Sequence, residues 1–215
     1  FNLSFKEVMG YGTAGFTAAL SIEKISSKYK NYKNIKTIVS GISGGCGSIA
    51  AGIMTKMGAD VTGISRRTDD LHQLKEVIGI KKIIDVNNLI IENKQNLAIP
   101  RWNLGIDFVG GEILKQILKM IKINGDVTTA GMANSSQIET SILPFILRGI
   151  TLHGINAEES LDFYSERIWD KLSNEWKPNN FSNMFQVINL EELPKYLNLY
   201  LKNKIIGRIV VKHKY

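Results

Sequence analysis

A single cysteine, Cys46, in 215 residues leaves no partner for an intramolecular disulfide and suits a reducing compartment. Only three histidines, at 72, 153 and 213, stand with it, too few ligands for a tetrahedral zinc site without unusually placed carboxylates. No metal is expected. Apolar runs stay short of the roughly 18 residues a membrane span needs, and the start lacks the basic-then-apolar order of a signal peptide. No membrane partner is expected, and the cytoplasm is the default location. The chain also lacks a Ser/His/Asp constellation, a carboxylate pair at a telling spacing, and a Tyr-x-x-x-Lys motif directly after the fourth expected strand. Catalytic residues therefore stay unassigned.

Helix-turn-helix, zinc-finger and RNP-like patterns are missing too, which matters because the net charge is +7. The one lysine cluster, Lys24, Lys28, Lys30, Lys33 and Lys36, has only Tyr29 and Tyr32 between its members. Solvated lysines account for the charge, and a polyanionic dinucleotide or a CoA thioester would also favour a basic field. Nucleic acid is not an expected partner.

With 44% apolar and 22% charged residues, the chain is an ordinary globular sequence that can bury one sizeable core. Its organising stretch runs from Lys36 to Arg67. The β-prone run Thr37–Val39 enters a loop with glycines at 41, 44, 45 and 47, followed by a small-residue helical run over Ser48–Met57 and a second β-prone run over Val61–Ile64. This is a βαβ unit. The loop spacing, Gly41-x-x-Gly44-x-x-Gly47, departs from G-x-G-x-x-G, yet the strand before it and the helix after it are the context of a phosphate cradle. Glycine there lets backbone N–H groups approach a pyrophosphate, so Ser43, Gly44, Gly45 and Cys46 are candidate cofactor contacts. At the end of the second strand an NAD site would carry an acid for the ribose 2′-hydroxyl. Ser65-Arg66-Arg67 stands there instead, and two guanidiniums with a hydroxyl suit a 2′-phosphate. NADP(H) is the expected cofactor. Cys46 reads as neutral packing, since a thiolate beside a pyrophosphate is disfavoured.

The strings SGISGGCGS, GTAGFTA (12–18), IDFVGG (106–111), TAGMA (129–133), LPFILRGITLHGIN (143–156) and IIGRIVV (205–211) occur in one order. They resemble the zinc-free quinone oxidoreductase and acrylyl-CoA reductase branch of the medium-chain dehydrogenase/reductase superfamily. The likeness spans the whole chain but only about the last two-thirds of such a protein, whose GroES-like catalytic domain would have most of its strands missing here. The resemblance implies an α/β fold with a Rossmann-type doubly wound parallel sheet. Residues 1–30 would form the linking helix into it, 31–157 the NADP-binding domain, and 158–215 a segment returning to the catalytic domain.

It also implies NADPH-dependent reduction of an activated C=C bond or a quinone by direct hydride transfer, on a substrate such as an enoyl thioester, an enone or a quinone. A chain truly without the catalytic domain would instead be a non-enzymatic NADP(H)-binding module. No Cys or His precedes Cys46, whereas the zinc-dependent alcohol dehydrogenase branch has a zinc-ligating Cys near the first helix. By resemblance, Gly131, backbone near Ile138 and Leu152, and Asn203 contact the cofactor, and Thr13 and Thr17 border the nicotinamide end. The exposed sheet edge at Ile150–Ile155 would pair across a homodimer.

Along the rest of the chain, the pattern gives a helix Asp69–Val77 stopped by Gly79, a strand Lys82–Asp85, and an irregular connection over 87–105. A strand Ile106–Val109, a helix Glu112–Ile121, a strand Asp126–Thr129, the helix of ILPFILRG and a strand Ile150–Ile155 complete about six alternating units. The tail reads as a helix Glu158–Leu172, a strand Met184–Ile188, a helix Leu193–Asn203 and a strand Ile206–Val211. His153 has no orienting carboxylate nearby in sequence. Arg208 fits equally a cofactor-side basic residue and a solvated strand-end charge.

Overall fold

The computed structural model describes residues 2–67, 71–91 and 95–213. Six parallel strands form one sheet in the order β3-β2-β1-β4-β5-β6, with β1 at Lys36–Val39, β2 at Asp60–Ser65, β3 at Lys82–Asp85, β4 at Trp102–Asp107, β5 at Ile121–Thr129 and β6 at Thr151–Gly154. This is the doubly wound arrangement. The strand order reverses between β1 and β4, so their carboxyl ends open the crevice where such sheets bind ligands.

Helices cover both faces because strands this apolar need burial on each side. On one face lie α1 (Phe5–Ser26), α2 (Gly45–Lys56), α3 (Leu71–Ile78) and α7 (Leu161–Ser173), over a core that includes Val39, Ile53, Leu104, Ile106, Ile168 and Leu172. The other face holds α4 (Val86–Ile91), α5 (Gly111–Met120) and α6 (Leu143–Arg148), over Ile38, Ile64, Ile117 and Val127. The first core does not break at 157/158, since Trp176, Phe181 and Met184 of the tail lie in it. The tail continues with β7 (Phe185–Asn189), α8 (Leu193–Leu201) and β8 (Arg208–Lys212), and β7 pairs with β8 in parallel.

The first helix is started by Ser4 and Glu7 in a reciprocal capping box, and broken at Gly12, whose φ of 46° is left-handed. Two expectations are corrected. The connection over 87–105 contains α4 and the start of β4, hidden by a six-residue helix too short to show a period and by Pro100 just before the strand. β5 begins at Ile121 directly after α5, and a register shift between Trp102 and Leu104 absorbs the extra residues around Gly125. The helix expected from Asp69 is described only from Leu71, because 68–70 lie outside the described residues.

Candidate functional site at the switch point

The cradle is built by one tight turn. Gly41 takes φ +64°, which only glycine adopts cheaply, and its carbonyl accepts the Gly44 N–H at 2.9 Å. A methyl group at Gly47 would collide with that same carbonyl. Gly44 then serves as N-cap of α2 at an ordinary φ of −91° and is exposed, so its lack of a side chain matters for what approaches from outside. No side chain caps α2 and no acid sits in its first turn. The leading N–H groups of Gly45, Cys46 and Gly47 thus face the crevice with the positive end of the helix dipole behind them.

The tail reaches back to this turn. The Gly207 N–H donates to the Ser43 carbonyl at 2.9 Å, which brings the next residue, Arg208, over the helix start. A methyl group built on Gly45 would lie 3.1 Å from Arg208 Nη1, and one on Gly12 3.0 Å from Nη2. Glycine at 12 and 45 therefore makes room for the guanidinium. Its Nε is buried with no acceptor among the described residues, an unmet donor that an anion on the cradle would satisfy. Burial pushes the Cys46 thiol up and the nearby Arg208 charge partly offsets it, in keeping with a neutral Cys46. The structure places the Arg208 guanidinium over the start of α2 rather than at a solvated strand end, a placement that a contact across 163 residues of chain hides from the sequence.

At the end of β2, Ser65 is buried and its Oγ accepts the Arg67 N–H at 3.0 Å, while Arg66 is exposed and Arg67 half-buried. The paired position on β3 is Asp85, an acid beside the tip that the sequence reading did not weigh. Gly131 packs against the Phe108 carbonyl, where a side chain would collide. Ile138 is not brought to the cradle; it lines an open groove of about 580 Å³ over the start of α5 with Glu112, Lys115 and Ser135. Leu152 is half-buried on the edge strand against the α5/α6 core. Asn203 is exposed just after α8, in a left-handed conformation. Thr17 turns inward and donates to the Thr13 carbonyl at 2.8 Å, a packing bond within α1.

His153 does have a carboxylate, contrary to the expectation. Its Nε2 lies 2.9 Å from Asp126 Oδ1, and Lys28 reaches the other oxygen of Asp126. The cluster ties the end of α1 to β5 and β6, in mid-strand and away from the crevice. Among the described residues no three His, Cys, Asp or Glu side chains converge as a metal site would require. The chain's own described donors therefore do not fit a zinc ion.

Residues 45–173 match the family described as zinc-binding dehydrogenase. YhfP of Bacillus subtilis, which carries a provisional quinone oxidoreductase name, is 32% identical over 98% of this chain and 64% of its own length. Its crystal structure with NAD bound superimposes with a TM-score of 0.91. The acrylyl-CoA reductase AcuI of Ruegeria pomeroyi is 27% identical over 97% of this chain and 63% of its own length. The yhdH oxidoreductase of Salmonella enterica, solved in complex with NADP, is 28% identical with a TM-score of 0.91, covering 99% of this chain and 65% of that one. The chain thus spans just under two-thirds of the relatives it matches, and it belongs to the zinc-binding dehydrogenase family of the medium-chain superfamily, with relatives named as a quinone oxidoreductase and an acrylyl-CoA reductase.

Proposed function

We propose that this chain is the dinucleotide-binding part of a zinc-free NADPH-dependent reductase acting on an activated C=C bond, as in an enoyl thioester or enone, or on a quinone. One observation carries the reading: the uncapped start of α2 lies beneath a guanidinium whose Nε lacks an acceptor. Backbone N–H groups at Gly45, Cys46 and Gly47 with Arg208, and the turn at Ser43 and Gly44 that leads into them, would hold the pyrophosphate. Ser65, Arg66 and Arg67 would hold the 2′-phosphate, Gly131 would line the nicotinamide end, and backbone near Ile138 and Leu152, with Asn203, would contact the cofactor. Bound NADPH supplies the hydride. The chain's part is to bind and orient it, and the substrate pocket lies mostly with the region that the relatives have and this chain does not span.

The segment 1–30 acts in this reading as the link into the nucleotide domain at 31–157, and 158–215 as the return to a catalytic domain. The free edge of β6 would support a homodimer. Among the described residues no helix is long and apolar enough to cross a membrane, and a cytoplasmic location fits the lone cysteine. A second reading has support from Asp85 beside Ser65 and from the NAD bound to YhfP, namely use of NADH as well.

Titration by nicotinamide fluorescence decides between them. The parent should prefer NADPH, and the Arg66→Ala, Arg67→Ala double variant should lose about 2–4 kcal/mol of NADPH affinity from partly exposed charge-assisted bonds. Equal affinities for NADH and NADPH in the parent would sink the NADP preference.

A further inference from the structure

Asp107, the last residue of β4, is fully buried, and among the described residues no ion pair reaches it. Its charge is met by four donors instead. Oδ1 accepts the Ser40 hydroxyl at 2.7 Å and the Val109 N–H at 3.2 Å. Oδ2 accepts the Gly110 N–H at 2.9 Å and the Thr129 hydroxyl at 3.0 Å. Each side chain or turn belongs to a different wall of the crevice: Ser40 precedes the Gly41 turn, Val109 and Gly110 lead into α5, and Thr129 stands two residues before Gly131. The Ser40 oxygen in turn accepts the Phe108 N–H at 2.9 Å, so its proton is committed to Asp107.

We infer that Asp107 is a positioning residue for the dinucleotide, fixing the phosphate turn relative to the loop at the nicotinamide end. This deepens the NADPH reading and rests on it. Side chains with four acceptor sites on two oxygens are the carboxylates; an amide offers half of them. Stability alone would be served by an apolar side chain, because a buried carboxylate without a cation is costly to desolvate. Burial raises the Asp107 pKa, and the hydrogen bonds from Ser40, Gly110, Thr129 and Val109 offset that only in part. In Asp107→Asn, either orientation of the amide sets its NH₂ against a backbone N–H, Val109 on one side or Gly110 on the other. One wall of the crevice must then shift.

The experiment compares two probes on the full chain. NADPH spans the cradle and both ends, whereas 2′-AMP reaches only the Ser65–Arg67 tip. Asp107→Asn should raise the Kd for NADPH by about tenfold or more, the effect of an unmet buried donor, and leave the Kd for 2′-AMP within about twofold. An unchanged NADPH Kd overturns the inference, and so does a parallel rise in Kd for both probes, which would mark a general loss of the domain. A parent that binds neither probe refutes the NADPH reading itself, and this inference with it. Should Asp107→Asn not fold, Thr129→Val decides, since it deletes one donor at the nicotinamide side. A folded Thr129→Val protein should bind NADPH several-fold more weakly with 2′-AMP unaffected, and an unaltered NADPH Kd overturns the proposal.

Discussion

The two sheets of this molecule are both parallel, yet only one of them is covered. β1, β4 and β5 are lined with residues that lose all contact with water, among them Ile38, Val39, Leu104, Ile106 and Val127. The pair β7/β8 buries Ile188 and Val210, while α8 beside it buries no residue and leaves Tyr200 69% and Leu201 78% exposed. Parallel strands ordinarily occur buried on both sides. This end of the tail therefore depends on few buried contacts, with Phe181 and Met184 just before β7 joining the main core, and its local stability must be lower than that of the main sheet. It nevertheless supplies Gly207 and Arg208 to the cradle. The most stable region offers backbone N–H groups, and the least covered one brings the cation.

The comparison breaks most visibly by truncation at matched positions. Leu104→Ala should cost about 2–5 kcal/mol, the transfer loss plus a cavity in a core that cannot collapse. Leu201→Ala should change stability by no more than about 0.5 kcal/mol, as expected for a residue already in water. Urea unfolding of both variants measures the contrast, and similar costs would show that α8 is covered in solution.

The same contrast can be drawn within the cradle. Gly44→Val should abolish dinucleotide binding, a loss of about 2 kcal/mol or more, because its branched side chain would stand where the phosphate approaches. Its unfolding transition should stay cooperative, since Gly44 is exposed at an ordinary φ. Gly131→Val, by contrast, places a side chain against the Phe108 carbonyl and should destabilise the fold by about 1–3 kcal/mol. Calorimetry for binding and circular dichroism for unfolding separate the two outcomes.

What the sequence could show follows the range of the interactions involved. The βαβ unit over Lys36–Arg67 was legible because strand, glycine turn and helix are local and periodic, and the alternation of about six strands with helices pointed to a parallel doubly wound sheet. The features that complete the site are long-range. Ser40 meets Asp107 across 67 residues and Thr129 meets it across 22, so no window of sequence contains the hub. His153 finds Asp126 on a neighbouring strand for the same reason. Near Ser65 the missing signal was register: Asp85 was identified as a strand end, but its place beside the tip needed the pairing of β2 with β3.

Tyr11 links the two regions and gives a smaller effect. Its hydroxyl donates to the Leu172 carbonyl at 3.1 Å, its ring stacks on Phe181 with centroids 3.7 Å apart, and burial pushes its pKa up. Tyr11→Phe keeps the stacking and removes one buried hydrogen bond, so it should cost about 1 kcal/mol. Hydrogen exchange in α7 and the 181–184 turn should quicken while the amides of β1 and β4 stay as slow as before. Uniform acceleration would mean that the tail and the main sheet open together.

The smallest effect belongs to Cys46, half-buried at the start of α2. Burial raises its pKa above the ordinary 9.0, so the folded state holds the thiol proton more tightly than the unfolded one does. Between the unfolded and folded values the native state binds more protons, and stability must fall as pH rises through that interval. Tyrosines titrate in the same range, so the parent alone is not diagnostic. Cys46→Ala removes only the thiol contribution. Its urea midpoint should decline less steeply than the parent's as pH rises above about 8.5. Identical slopes would mean that the thiol ionises as freely in the folded chain as in the unfolded one, and that burial at the start of α2 does not raise its pKa.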